Sequence, residues 1–279
     1  MSAETPATTN AGNGAGDGAQ DNLLVAERCS KVFGGLVAVN DVTFSIPRKS
    51  IVSIIGPNGA GKTTFFNMLT GLYTPTTGRI TFDGQDTTRM RPDRITDYGI
   101  ARTFQNIRLW ATMSPVENVM VGQHSRMKTG LVGSIFRPPR TRREERDVED
   151  KAREMLRYAG VPENRFDDLA VNLAYGDQRR VEIARALASD PKLLLLDEPT
   201  AGMNPQESAE LTDFMRKARE ELGLTILLIE HDMKVVMGVS EYVTVLDHGE
   251  KIAEGQPAAV RANPRVVEAY LGKQATVEG

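Results

Sequence analysis

The segment IVSIIGPNGAGKTT, residues 51–64, constrains the fold of this chain more than any other stretch. Its apolar run, Ile51 to Ile55, has the length of a strand covered on both faces, and the residues after the segment continue as a helix. Between them, Gly56 to Thr63 satisfies the pattern G-x-x-x-x-G-K-[ST]. Such a turn directs backbone N–H groups at a phosphate, and the helix N-terminus adds partial positive charge. The segment therefore predicts a nucleotide site in an α/β fold.

This phosphate loop supplies most of the candidate nucleotide contacts. Lys62 is placed to reach the β- and γ-phosphates, and the Thr63 hydroxyl can bind Mg²⁺. The residues predicted to bind the nucleotide here are Gly56, Pro57, Asn58, Gly59, Ala60, Gly61, Lys62, Thr63 and Thr64.

A second strand, in KLLLLDEPTAGMNP at residues 192–205, ends in two adjacent carboxylates. Four leucines indicate a buried strand, and ligands of open α/β sheets bind at the carboxyl ends of the strands. Asp197 is then placed to hold Mg²⁺, and Glu198 to orient or deprotonate an attacking water. A phosphate loop and an acidic strand end would alone also suit a kinase, a GTPase or a helicase.

Helices and strands alternate over most of the chain, which favours an α/β fold with a mainly parallel sheet. Between about Arg102 and Asp168 the strand signal is weak and helical stretches dominate, as expected of a helical insertion. Alternation resumes with the helix GDQRRVEIARALASD. Asn204 before Pro205 predicts a helix start, and Gly223 predicts the end of that helix.

Composition excludes several classes of protein. With 40% hydrophobic and 25% charged residues among 279, the chain is typical of globular proteins. A net charge of -3 gives no global basis for binding nucleic acid, and none is expected as a partner. A single cysteine, Cys29, excludes a disulfide framework. We find no secretion signal and no apolar run near the ~20 residues that cross a bilayer. We expect a protein inside the cell, with flexible tails at 1–22 and 273–279.

Three further stretches narrow the possibilities. RTFQ ends at Gln105, NLAYGDQRR covers residues 172–180, and LLIEHDM contains His231. In order and spacing they resemble the Q-loop, the signature motif and the switch histidine of ATP-binding cassette (ABC) proteins. The resemblance implies a P-loop NTPase (RecA-like) parallel-sheet core, an antiparallel β subdomain and an inserted α-helical subdomain at about 106–180. It places the ABC ATPase domain at residues 23–272 and implies ATP and Mg²⁺ as cofactors.

The resemblance also implies roles for individual residues. Phe33 would stack on adenine, although a core phenylalanine is the alternative. Gln105 would contact Mg²⁺ or the attacking water, unless it is an ordinary polar loop residue. His231 would bind the γ-phosphate. The catalytic residues would then be Glu198, His231 and Gln105. The residues that bind Mg²⁺ would be Thr63, Gln105 and Asp197. The residues implied to meet a second cassette are the signature Leu173, Ala174, Tyr175, Gly176 and Asp177 and the D-loop Gly202, Met203 and Asn204.

The chain departs from the common family pattern in the signature motif and in the D-loop. Ala174 stands where the usual L-S-G-G-Q signature has a serine, so backbone N–H groups and the following helix N-terminus remain for the γ-phosphate. Asn204 replaces the usual D-loop aspartate. Together with AGMNP, IEHDMKVVMG and NPRVVEAYLG, these departures resemble one branch of the family, the ATPases of branched-chain (hydrophobic) amino acid importers.

That branch implies an ATP-hydrolysing subunit at the inner face of the cell membrane. Its partners would be transmembrane permeases, a second ABC ATPase subunit of the same or a related chain, and a substrate-binding protein in the full complex. The helical insertion is also a candidate for a groove that receives a helix from a membrane partner. Alternatives are a urea or amide importer, a lipid exporter, or a soluble cassette ATPase in DNA repair or translation. The short insertion and single cassette disfavour the last.

Overall fold

Two β-sheets form the framework of the protein, one antiparallel and one mainly parallel. The computed structural model describes residues 21–123 and 139–271, with side chains in the second range described from 143 to 270. The antiparallel sheet has the order β2-β1-β4-β5, and the larger sheet has the order β10-β9-β3-β8-β7-β6. The strands are β1 (Asn22–Phe33), β2 (Leu36–Pro47), β3 (Ile51–Ile55), β4 (Thr77–Phe82), β5 (Gln85–Asp86), β6 (Ile100–Arg102), β7 (Leu193–Asp197), β8 (Thr225–Ile229), β9 (Tyr242–Asp247) and β10 (Glu250–Gly255).

The larger sheet brings three functional segments to one edge. Strands β3, β8 and β7 are neighbours and run parallel, and every residue in them is buried. Burial on both faces explains why these strands read as continuous apolar runs. Because parallel strands end at the same edge, the phosphate loop after β3, His231 after β8 and Asp197 at the end of β7 converge there.

The described helices pack around these sheets. Their bounds are α1 (Lys62–Leu69), α2 (Pro92–Tyr98), α3 (Pro115–Gly122), α4 (Pro139–Tyr158), α5 (Tyr175–Leu187), α6 (Pro205–Leu222), α7 (Met233–Val239), α8 (Pro257–Arg261) and α9 (Pro264–Leu271). None of the helices within the described residues is long and apolar enough to cross a membrane.

Helix α6 begins and ends where the sequence predicts. The Asn204 side-chain oxygen accepts hydrogen bonds from the backbone N–H groups of Gln206 and Glu207, each at 2.9 Å. The Glu207 carboxylate in turn accepts from the Asn204 N–H at 2.9 Å, which completes a capping box. Gly223 ends the helix in the left-handed region, at φ 62°.

Helices α3, α4 and α5 share an apolar cluster of their own. Its buried members include Val119, Leu156, Phe166 and Val181. A separate cluster, with Phe44, Phe65 and Phe82, joins the antiparallel sheet to α1 and to one face of the larger sheet. The helical stretches that the sequence indicates therefore pack against one another as well as against the core.

Two strands of the larger sheet were not predicted. β6 adds three residues to the parallel sheet beside β7, and β10 closes the opposite edge antiparallel to β9. A three-residue strand carries too little periodicity to identify from sequence. Of the two predicted tails, residues 1–20 and 273–279 lie outside the described residues, and Asn22 already belongs to β1.

Candidate functional site

The phosphate loop connects β3 to α1 through a turn that requires glycine. A Cβ added to Gly56 would lie 2.0 Å from the carbonyl oxygen of Leu246, and Gly61 caps α1 at φ 93°. The buried Lys62 ammonium folds over the loop and donates to the carbonyl oxygens of Gly56 at 2.7 Å and Pro57 at 2.9 Å. A cation within a ring of backbone groups is suited to binding phosphate oxygens.

The three predicted catalytic residues meet at the Glu198 carboxylate. Gln105 Nε2 donates to Glu198 Oε2 at 2.9 Å, and His231 Nε2 lies 2.6 Å from Glu198 Oε1. Glu198 has a left-handed backbone, at φ 48°, directly after β7. A carboxylate held between an amide and an imidazole beside a phosphate loop can orient and deprotonate a water.

A cleft of about 450 Å³ joins these groups. It runs along residues 58–64 of the phosphate loop and reaches Gln105, Glu198 and His231. Four other lining residues were missed by the sequence analysis: Leu36, Val37, Ala38 and His248. The sequence contains no pattern that singles them out, because apolar residues at the start of a strand and a histidine in a turn are common in any protein.

Asp197, predicted to bind Mg²⁺, is not among the described residues that line this cleft and lies in a buried ion pair. Its Oδ2 is 2.9 Å from Arg102 Nη2, and the two side chains are only 6% and 11% exposed. Arg102 also donates to Asn67 Oδ1 at 2.6 Å, and its guanidinium lies 4.8 Å from the ring centroid of Phe66 and 5.2 Å from that of Phe104. Burial raises the pKa of Asp197 above its ordinary value, while the Arg102 charge opposes that shift. Arg102 was not predicted as part of the site.

The predicted metal residues offer oxygen donors only. They are the Thr63 hydroxyl, the Gln105 amide and the Asp197 carboxylate. Within the described residues no group of three or more His, Cys, Asp or Glu side chains could hold a metal ion by itself. A small number of protein ligands, all of them oxygen atoms, is suited to a Mg²⁺ ion that is bound mainly through phosphate and water.

Phe33 lies at the end of β1, outside the residues that line the cleft. It is 39% exposed, packs edge-on against Tyr73 with ring centroids 5.2 Å apart, and has the Lys31 ammonium 5.1 Å from its centroid. Leu36 and Val37, a few residues further along the chain, do line the cleft. The role of Phe33 against adenine stays a prediction.

The signature turn lies close to Gly202 of the D-loop and to Glu207 of α6 within the chain. A Cβ on Gly202 would lie 3.1 Å from the Tyr175 ring, and one on Gly176 would lie 2.8 Å from the Glu207 carboxylate. Ala174 is the N-cap of α5 and provides no side-chain cap, as its sequence predicts. Among the described residues that line the 450 Å³ cleft, none comes from the signature turn or the D-loop.

A larger and more apolar groove, of about 730 Å³, lies between the parallel sheet and the helical insertion. Leu72, Trp110 and Val121 line it and are respectively 48%, 45% and 37% exposed. Arg102 and Phe104 also line it, so the groove and the buried Asp197 ion pair share a wall. Exposed apolar side chains of this size around one groove are typical of a protein interface.

Comparison with known proteins agrees with this geometry. The sequence model of the ABC transporter family matches residues 39–201, more than half of the 279 residues. A second family model, for branched-chain amino acid ATP-binding cassette transporters, matches residues 250–276.

Individual relatives match over nearly their full length. The high-affinity branched-chain amino acid transport ATP-binding protein LivG of Salmonella typhimurium is 47% identical over 251 residues, covering 90% of this chain and 98% of the relative. The corresponding BraF protein of Pseudomonas aeruginosa is 46% identical over 243 residues, covering 86% and 94%.

Solved structures give the same fold. A nucleotide-free ATP-binding cassette from an ABC transporter has a TM-score of 0.78 at 32% identity, covering 89% of this chain and 98% of that one. A dimeric cassette in a post-hydrolysis state, bound to ADP and Pi, has a TM-score of 0.71 at 27% identity, covering 84% and 98%. The predicted α/β cassette fold is thereby confirmed.

Proposed function

This chain belongs to the ABC transporter family, and from that membership we propose that it is the ATP-hydrolysing subunit of a branched-chain amino acid importer. The observation that supports the substrate class is the 47% identity with LivG over 90% of the chain. The importer would hold the subunit on the inner face of the cell membrane, against transmembrane permeases and, in the full complex, a substrate-binding protein. The relatives cited above are named for branched-chain amino acid transport, which favours this class over a urea or amide importer, a lipid exporter, or a repair or translation ATPase.

In the proposed reaction, the 450 Å³ cleft binds ATP, with Lys62 and the phosphate-loop N–H groups on the phosphates. Glu198 orients the attacking water and takes its proton, while Gln105 and His231 fix the carboxylate from either side. The residues that would hold Mg²⁺ are Thr63, Gln105 and Asp197. Bound there, the ion would neutralise charge on the phosphates.

We infer a head-to-tail dimer because the signature turn does not line the cleft of its own chain. In a two-fold pair, each signature turn would face the other chain's nucleotide, so both sites are completed at once. The donors would be the N–H groups at the start of α5, since Ala174 offers no hydroxyl. Asn204 keeps the helix cap that an aspartate would provide.

The permease would dock in the 730 Å³ groove, with an apolar helix against Leu72, Trp110 and Val121. Trp110→Glu should therefore reduce co-purification with the permeases by at least tenfold, because it puts a charge into an apolar contact. The ATPase activity of the isolated subunit should stay within about twofold, since Trp110 does not line the nucleotide cleft.

Uptake measurements test the substrate class. Deleting the gene should abolish uptake of radiolabelled leucine, and wild-type protein should restore it. Glu198→Gln should not restore it, whereas Glu221→Gln, the same change on an exposed carboxylate of α6, should. Normal leucine uptake after deletion, with loss of urea or amide uptake, would overturn the proposal.

A further inference from the structure

Helix α5, which begins at the signature turn, carries charged residues that the proposed reaction does not use. Arg179, Glu182 and Arg185 are spaced three residues apart and therefore share a face of the helix. The side chains of Arg179 and Glu182 are 0% and 1% exposed, and that of Arg185 is 14% exposed. Charged side chains are almost never buried to this extent without a specific partner. We call these three residues the α5 brace.

The partner of the brace is the backbone of the Q-loop, residues 104–108. Arg179 Nη1 donates to the Phe104 carbonyl at 2.7 Å, and its Nη2 donates to the Gln105 carbonyl at 2.8 Å. Glu182 Oε1 accepts from the N–H groups of Phe104 and Arg108, each at 3.4 Å. Arg185 Nη1 donates to the Arg108 carbonyl at 2.5 Å. Five backbone groups of a segment that is neither helix nor strand are thus held by one helix face.

The charges within the brace compensate one another. Glu182 Oε2 lies 2.7 Å from Arg179 Nη1, and Glu182 Oε1 lies 3.7 Å from Arg185 Nη2. Burial nevertheless raises the pKa of Glu182 and lowers that of Arg185. A buried ion pair contributes little to stability compared with apolar residues of the same size, although removing one partner is costly. Its advantage here is geometric, because a planar guanidinium can hold two adjacent carbonyls at once.

We propose that the α5 brace positions Gln105 for hydrolysis. Arg179 binds the carbonyl of the residue whose side chain holds Glu198, so it sets where the amide meets the carboxylate. Its Nη2 also lies 3.5 Å from the Tyr175 hydroxyl in the signature turn. Arg179 is thus a positioning residue that acts through Gln105. The inference depends on the catalytic role of Gln105 proposed above.

The first test separates turnover from binding in the purified full chain. Arg179→Met should lower kcat by about 10- to 100-fold, the scale expected when a catalytic group is misplaced by about 1 Å. ATP affinity, measured by fluorescent-nucleotide titration, should stay within about twofold, because Arg179 does not line the cleft. Arg179→Lys should be intermediate, since one ammonium replaces a two-pronged donor.

Two further variants distinguish a loss of kcat caused by misfolding from one caused by a displaced Gln105. Arg179→Met combined with Glu182→Gln removes both charges of the fully buried pair, and the 14%-exposed Arg185 keeps its bond to the Arg108 carbonyl, so the fold should survive while kcat stays low. Arg216→Met is the control: the Arg216 guanidinium of α6 also binds a backbone carbonyl, that of Gly238, and a carboxylate, that of Asp213, but it binds neither the Q-loop nor the cleft. Its kcat should match the wild type. A folded double variant with wild-type kcat would show that the brace is only structural and would overturn the inference.

The decisive step is a double-mutant cycle with Gln105→Ala. If Arg179 acts through Gln105, adding Arg179→Met to Gln105→Ala should lower kcat no further. Multiplying losses would overturn the inference and leave the proposed role of Gln105 intact. A Gln105→Ala variant with normal kcat would instead refute the role of Gln105, and the brace inference with it.

Discussion

Replacing Arg102 by methionine should destabilise the protein in a pH-dependent way. Methionine keeps an apolar stem between Phe66 and Phe104 but leaves the 6%-exposed Asp197 without its cation. A buried, unpaired carboxylate can lose its charge by taking up a proton, so the free energy of protonation limits the destabilisation. At pH 7, protonating a group with an unfolded pKa of about 3.9 costs about 4 kcal/mol, which is an upper limit for this part of the loss.

A further loss of about 1 kcal/mol follows from the missing hydrogen bond to Asn67, and it should not vary with pH. In the variant, the folded pKa of Asp197 lies further above its unfolded value than in the wild type. The deficit is therefore present above the raised pKa and disappears below the unfolded pKa. At pH 5.5 the upper limit falls to about 2 kcal/mol. We expect total losses of about 3–5 kcal/mol at pH 7 and about 2 kcal/mol less at pH 5.5.

Urea unfolding at the two pH values, without nucleotide or Mg²⁺, measures these losses. The control is Arg102→Met combined with Asp197→Asn. This double variant has no buried carboxylate without a cation, so its loss of stability should not depend on pH. A deficit that is the same at both pH values, or a double variant less stable than the single one at pH 7, would refute this reasoning.

Two other predictions concern residues outside the reaction. Burial raises the pKa of the Cys29 thiol to about 11, so at pH 8 ionisation alone should slow its reaction with Ellman's reagent roughly 100-fold, until urea unfolds the chain; fast reaction in the native protein would contradict this. Asn204→Ala should lower the free energy of unfolding by about 1–2 kcal/mol and Asn204→Asp by much less, because only the first removes the α6 cap; equal losses in urea titrations would contradict the assignment.

Local sequence signals were sufficient for the main framework. The phosphate loop, the buried strand that ends in Asp197 and the capped start of α6 each depend on neighbouring residues only. Their geometry follows from backbone rules that act over a few residues, and the fold agrees with those predictions.

The buried charges could not be predicted in the same way. Arg102 meets a carboxylate 95 residues away, from a strand of three residues. In DQRRVEIAR, no local pattern marks the arginines and the glutamate as buried, yet Arg179 and Glu182 are fully buried against a loop some 75 residues earlier. Such long-range pairing depends on the packing of α5 against the Q-loop, which no local pattern encodes. His248 and Leu36 reach the cleft for the same reason.

The measurement that tests the proposed mechanism most directly is the mass of Glu198→Gln in solution, by light scattering, with and without ATP and Mg²⁺. We expect one chain without nucleotide and two chains with ATP, each binding one nucleotide and neither hydrolysing it. Adding Gly176→Trp, which fills the signature turn beside Glu207, should prevent pairing while each chain still binds ATP. A Glu198→Gln protein that hydrolyses ATP normally, or that binds ATP as a single chain at every concentration, would contradict the account.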